Sequence, residues 1–159
     1  VDGVPVGLEI GFAEVPDPVA PVARPDGDMG SIIVVVATDA PLLPSQCERL
    51  AQRAGLAIAR TGGAGAHSSG DLFLAFSTAN RGMAAADAGS GPPRIRRIDA
   101  LDDAWITPLF WATIEATEEA IVNAMLQAET MVGKGGAVAQ RLDPELLVES
   151  FRRAGRLPG

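Results

Sequence analysis

The run Ile32-Ile33-Val34-Val35-Val36-Ala37 constrains this chain more than any other stretch. Six consecutive apolar residues, mostly β-branched, are stiff at χ1 and suit extended backbone. An apolar run of this length without alternation predicts a strand buried on both faces. Asp71-Leu72-Phe73-Leu74-Ala75-Phe76-Ser77 predicts a second buried strand. Between them Leu43, Cys47, Leu50, Ala54 and Ala57 recur at three- and four-residue steps, which predicts a helix over residues 44–60. Gly62 supplies its stop. Strands that need cover, with helices to cover them, make an α/β layered architecture.

The first strand has an unusual approach. Residues 1–14 read as an extended segment broken by turns. Residues 15–30 hold Pro16, Pro18, Pro21 and Pro25. Proline this dense forbids helix and central strand, so the segment is an extended tether. It ends at Gly30, and Ser31 opens the strand. On local pattern Gly30-Ser31 is an ordinary turn. Chemically, a chain cut between Gly30 and Ser31 would give Ser31 a free α-amine beside its hydroxyl. That unites nucleophile and base in one residue, as in N-terminal Ser or Thr acyl chemistry.

Beyond the second strand, residues 78–93 form a surface loop, and Arg94 to Ile98 predict a short edge strand. Thr107 as N-cap and Pro108 as first helical residue open a helix running to Val132. Ile114, Ile121, Met125, Ala128 and Val132 share one of its faces, and Glu115, Glu118 and Glu119 much of another. Gly133-Lys134-Gly135-Gly136 ends it; the spacing and the preceding strand of a phosphate loop are both missing. Asp143-Pro144 caps a last helix over residues 143–154.

Charge and composition narrow the function. At 159 residues the chain fits a single domain. A net charge of −7 speaks against nucleic acid as a partner, because no basic stripe could neutralise phosphates. The cluster Arg94-Ile95-Arg96-Arg97 reads as a solvated face beside Asp99, Asp102 and Asp103. No run reaches the roughly 18 apolar residues of a membrane span. No signal peptide is visible, and the cytoplasm is the favoured compartment, with the periplasm open. The single cysteine, Cys47, reads as a core residue. One His and one Cys far apart leave no metal site, and no cofactor is expected.

Three residues stand out for chemistry: Ser31 at the start of the first strand, and Ser69 and Asp71 at the start of the second. If the strands are parallel neighbours, these residues meet at one sheet edge. A carboxylate there can hydrogen-bond the second serine or steady a protonated amine. Ser-Gly-Asp is equally a routine turn and cap. His67, the only histidine, lies in the small-residue loop 61–70 and reads as a surface residue.

The block Gly30-Ser-Ile-Ile-Val-Val-Val-Ala-Thr-Asp-Ala-Pro-Leu-Leu43 resembles the self-processing L-aminopeptidase/D-amidase/D-esterase enzymes and their kin, the β-peptidyl aminopeptidases. So do Ser69-Gly-Asp-Leu-Phe-Leu-Ala-Phe-Ser-Thr-Ala-Asn80, Glu118-Glu-Ala-Ile-Val-Asn-Ala-Met125 and Gly3-Val-Pro-Val-Gly7. The resemblance implies an αββα four-layer sandwich similar to N-terminal-nucleophile hydrolases. It implies that residues 1–30 are the end of an α chain and residues 31–159 a β chain of the same domain. Self-cleavage at Gly30-Ser31 would make Ser31 the nucleophile toward small peptides or aminoacyl amides and esters. Ser69 and Asp71 match a Ser-x-acid pair that assists; some relatives carry Glu at the acid position. The resemblance also implies a homo-oligomer.

Most of the α chain of such a protein is absent from these residues, including an oxyanion-hole Asn expected before Val1. Losing such a donor costs about two to three orders of magnitude in rate, so these 159 residues alone are expected to be inactive. Two alternatives stand: an acyltransferase of the ornithine acetyltransferase type, against which Ser31 in place of Thr argues, and an inactive fragment that keeps the fold.

Overall fold

A computed structural model describes residues 1–16, 30–82 and 95–157. Most of the Pro-rich tether and of the 78–93 loop, and Arg94, lie outside them. The backbone forms two compact units: Gly30–Ala57 with Ser69–Thr117, and Val1–Met29 with Ile58–Ser68 and Glu118–Gly159.

The first unit is built on β1 (Ile33–Thr38) and β2 (Leu72–Ser77), which pair in parallel from Ile33↔Leu72 to Thr38↔Ser77. The connection between them carries α2 (Pro44–Arg60), so the unit is a βαβ crossover. Strands and helix stand within a residue of their expected bounds. The expected stripe is where α2 buries itself: Cys47, Leu50, Ala54 and Ala57, joined by Ala51. Leu42, Cys47 and Leu50 form the core against Val36, Ala75, Leu101, Leu109 and Phe110. Gly55 lets α2 close on the sheet, because a Cβ there would stand 3.5 Å from the Phe73 ring.

Burial on both strand faces is not observed. Ile33, Val35, Leu72, Leu74 and Phe76 are exposed, while the alternate residues turn toward the helices. The apolar composition of the two strands is that of a doubly covered sheet, but these residues supply helices to one face alone.

Gln46 was not singled out by sequence reasoning, yet it is among the most buried polar side chains. Its Nε2 donates to the Leu101 carbonyl and to Asp103 Oδ1, both at 2.8 Å, and its Oε1 accepts from Leu43 N–H at 2.9 Å. It ties the start of α2 to the segment entering the next helix. Gln46→Met in the full-length protein, keeping the length but none of these bonds, is expected to cost about 1–3 kcal/mol through unsatisfied buried groups. The urea midpoint measures this, with an unchanged slope confirming that stability alone has moved.

No edge strand forms over Ile95–Ile98. Ile95 is 98% exposed, and Asn80 instead holds the backbone of Asp99 through both its amide groups. The next helix, α3 (Thr107–Gln127), takes Thr107 as its first residue; Leu109 and Phe110 N–H donate to the Ile106 carbonyl, closing the first turn there. Its buried residues are Thr113, Ile114 and Thr117. Of the expected apolar face only Ile114 is buried, and Met125 is exposed.

The second unit opens with α1 (Val6–Glu9), one helical turn where an extended segment was expected. Pro5 stands just ahead of it, where its missing N–H costs nothing, and its carbonyl accepts from Leu8 N–H. At its C-terminal end α2 stops at Gly62, which adopts φ +104°. The expected extension of α3 to Val132 is replaced by a hairpin of β3 (Met131–Val132) and β4 (Val138–Ala139). The glycine run 133–136 is thus a hairpin loop, with Gly133 N–H donating to the Ala137 carbonyl. The last helix, α4 (Pro144–Arg153), begins as expected: Asp143 caps it by accepting from Glu145 N–H at 3.1 Å. Arg153 of α4 pairs with Glu9 of α1 at 3.0 Å.

Candidate active site at the amino edge of the sheet

The ladder offset between β1 and β2 is 39 residues, and it continues outward beyond the first formal pair. Leu72 N–H donates to the Ile32 carbonyl at 3.0 Å. The next rung inward of the turn is not backbone to backbone. Asp71 Oδ1 accepts from Ile32 N–H at 3.0 Å, so a carboxylate takes the place of a carbonyl in the ladder. One residue further, Gly70 N–H donates to Ser31 Oγ at 2.8 Å. Parallel pairing therefore brings residues 31–32 and 69–71 together through register alone.

Within that group Ser69 Oγ donates to Asp71 Oδ1 at 2.6 Å, a short, charge-assisted hydrogen bond. One carboxylate oxygen thus holds the second serine and the residue that follows the first. Ser31 is exposed, and Ser69 and Asp71 are half-buried. By strand alternation Ser31 is in phase with Ile33 and Val35, on the face that helices do not cover. All three sequence-derived candidates meet at one edge. Sequence reasoning missed the two backbone donors, Ile32 N–H and Gly70 N–H. The 39-residue offset from Ser31 to Gly70 was their one available signal, and it has meaning only once the strands are known to be parallel.

The remaining candidates stand where they were expected. His67 is exposed in its loop, Cys47 is buried in α2, and Arg96 and Arg97 are exposed. Among the described residues no three His, Cys, Asp or Glu side chains gather as metal ligands. A cleft of about 510 Å³ lies toward the opposite end of β2, lined by Leu42, Leu43, Cys47, Phe73, Ala75 and Ile98 among others. None of Ser31, Ser69 and Asp71 lines it. No described helix is long and apolar enough to cross a membrane.

Chemically the edge provides a hydroxyl that accepts from an N–H donor, beside a carboxylate tied to a second hydroxyl. That set can direct an attack by Ser31 and hold a cation next to it.

Comparison with known proteins bears on this geometry. The sequence profile of peptidase family S58 matches residues 1–139. A β-peptidyl aminopeptidase, BapA, from Sphingosinicella microcystinivorans is 39% identical over 168 residues, covering 96% of this chain and 40% of that protein. Among solved structures, the PH0078 protein from Pyrococcus horikoshii OT3 superposes with a TM-score of 0.76 at 44% identity, over 98% of this chain and 39% of that one. The L-aminopeptidase D-Ala-esterase/amidase from Ochrobactrum anthropi, described as a prototype for the serine aminopeptidases and a variant of the Ntn hydrolase fold, superposes with a TM-score of 0.70 at 43% identity. It is covered over 35% of its length by 80% of this chain. The chain thus spans about two fifths of the length of the relatives it matches.

Proposed function

The chain belongs to peptidase family S58, and on that premise we propose that the full-length protein is a self-processing aminopeptidase with Ser31 as its nucleophile. Its mixed α/β fold is that of the Ntn-hydrolase-like relatives. The observation that carries the reading is the edge cluster: Asp71 Oδ1 accepts from both Ser69 Oγ and Ile32 N–H, while Gly70 N–H holds Ser31 Oγ.

The proposed processing step is an acyl shift. Ser31 Oγ loses its proton and bonds to the Gly30 carbonyl carbon. The carbon–nitrogen bond to Ser31 then breaks, the nitrogen takes up a proton, and Gly30 is left as an ester on Oγ. That break frees the α-amine of Ser31; water then hydrolyses the ester, returning the proton to Oγ and releasing Gly30 as a carboxylate. In turnover the amine takes the Oγ proton during attack on a substrate carbonyl and passes it to the departing amine or alcohol. Asp71 sits against Ile32, the residue after the new terminus, and its negative charge favours the protonated amine. Ser69 holds that carboxylate in place.

Residues 1–30 are then the end of the α chain and residues 31–159 the β chain. The rest of the α chain covers the exposed sheet face, on which Ser31 also falls, as the second sheet of an αββα sandwich. Substrates are small peptides, amides or esters with a free amino group, β-aminoacyl groups among them, since the BapA relative is a β-peptidyl aminopeptidase by name. The protein acts as a homo-oligomer. Nothing supports the acyltransferase alternative.

The test is mass spectrometry of the expressed full-length protein with hydrolysis of α- and β-aminoacyl p-nitroanilides. Two chains, the second beginning at Ser31, together with turnover are expected. An intact chain that releases no p-nitroaniline would sink the reading.

A further inference from the structure

We propose that the backbone amide of Gly70 is a catalytic donor to Ser31 Oγ, in self-cleavage and again in turnover. The inference rests on the reading of Ser31 as nucleophile and adds a group that neither residue pattern nor side-chain chemistry marks.

The placement of the amide is over-determined. Gly70 lies between Ser69 and Asp71, whose side chains are bonded to each other at 2.6 Å, and Asp71 is anchored to Ile32 N–H across the ladder. The peptide between these two anchors has little freedom to turn its N–H away from Oγ, 2.8 Å off. The ladder offset puts Gly70 opposite Ser31, but its donor meets a hydroxyl rather than a carbonyl.

The sense of this hydrogen bond matters. An N–H that donates to Oγ occupies one lone pair and leaves the hydroxyl proton free for a base. It also becomes stronger as negative charge builds on the oxygen, the behaviour expected of a preorganised donor. Asp71 Oδ1 already accepts two other donors, so it does not compete for the Ser31 proton through that atom. Charge grows on Oγ when it attacks, falls once Oγ is an ester oxygen, and grows again when water breaks the acyl–oxygen bond and Oγ departs to be reprotonated. One fixed donor therefore favours both acylation and deacylation. No side chain is needed at 70, where a Cβ would meet Ser31 Oγ at 3.4 Å. Gly70 is not among the residues with left-handed backbone, so alanine fits its conformation.

The test replaces residue 70 by glycolic acid in the full-length protein, turning the Ser69–Gly70 amide into an ester and removing that one N–H. Self-cleavage, followed as a first-order process by mass spectrometry, is expected to slow about 100-fold, as when one oxyanion donor is lost. In a Ser31→Cys background the ester penalty is expected to shrink below about tenfold, since sulfur is a weak acceptor. A purely structural role for the amide would carry the same penalty in both backgrounds, and that result overturns the inference. So does an ester variant that cleaves within about threefold of its parent. Continued cleavage in Ser31→Ala would instead bring down the nucleophile reading itself, so the two failures are distinguishable.

Discussion

Ser31→Ala in the full-length protein is expected to leave the Gly30–Ser31 bond intact and to abolish aminopeptidase turnover. The substitution removes one oxygen atom from an exposed side chain at the end of a sheet. Its single described bond is the one from Gly70 N–H, so alanine takes the acceptor from one donor. The stability cost should therefore be that of one hydrogen bond, no more than about 1–3 kcal/mol. Activity should fall by as much as about 10⁶-fold, the scale on which serine hydrolases lose rate without their nucleophile. The contrast between the two readouts is what makes the variant informative. Mass spectrometry gives the chain count, circular dichroism the fold, and p-nitroanilide release the rate. Ser31→Cys should retain measurable cleavage, because a thiol performs the same acyl shift. A Ser31→Ala protein that still splits after Gly30 would place the nucleophile elsewhere.

Asp71→Asn is expected to give the second largest loss, about 10²- to 10⁴-fold in kcat, the range of a positioned acid–base group. The amide is nearly isosteric and its oxygen still accepts from Ile32 N–H and Ser69 Oγ, so the edge geometry survives. What goes is the negative charge beside the residue that follows the new terminus. Without it the protonated α-amine formed during attack loses a stabilising partner. Asp71→Glu restores the charge on a longer arm and should recover part of the loss, whereas Asp71→Ala removes both charge and acceptor and should fall below Asn. Rates equal across Asn and wild type would show that Asp71 serves packing rather than chemistry.

Much of the core was legible before any coordinates. The two apolar runs, the α2 stripe and the Asp143-Pro144 cap are local signals, and each element formed within a residue or two of its expected bounds. The misses share a cause. Residues 128–132 carry a helical apolar spacing, but cross-strand pairing of Met131 and Val132 with Ala139 and Val138 captured them. The expected Arg94–Ile98 strand has β-branched residues, but no strand forms over the described Ile95–Ile98, and Asn80 holds the backbone at Asp99. Gln46 carries no local signal of burial, and only its bonds to the 101–103 segment give it a role.

The same division holds at the site. Sequence by itself determined the residue types: a serine at the head of one apolar strand and Ser-Gly-Asp at the head of another. It could equally have described two ordinary turns. Tertiary structure decided that β1 and β2 are neighbours, parallel and offset by 39 residues. Register is a long-range property, set by how the two strands share their side-chain alternation against α2, and no local propensity encodes it. That register turns Gly30-Ser31 from a bend before a strand into a hydroxyl facing the Gly70 amide, beside a carboxylate built into the ladder.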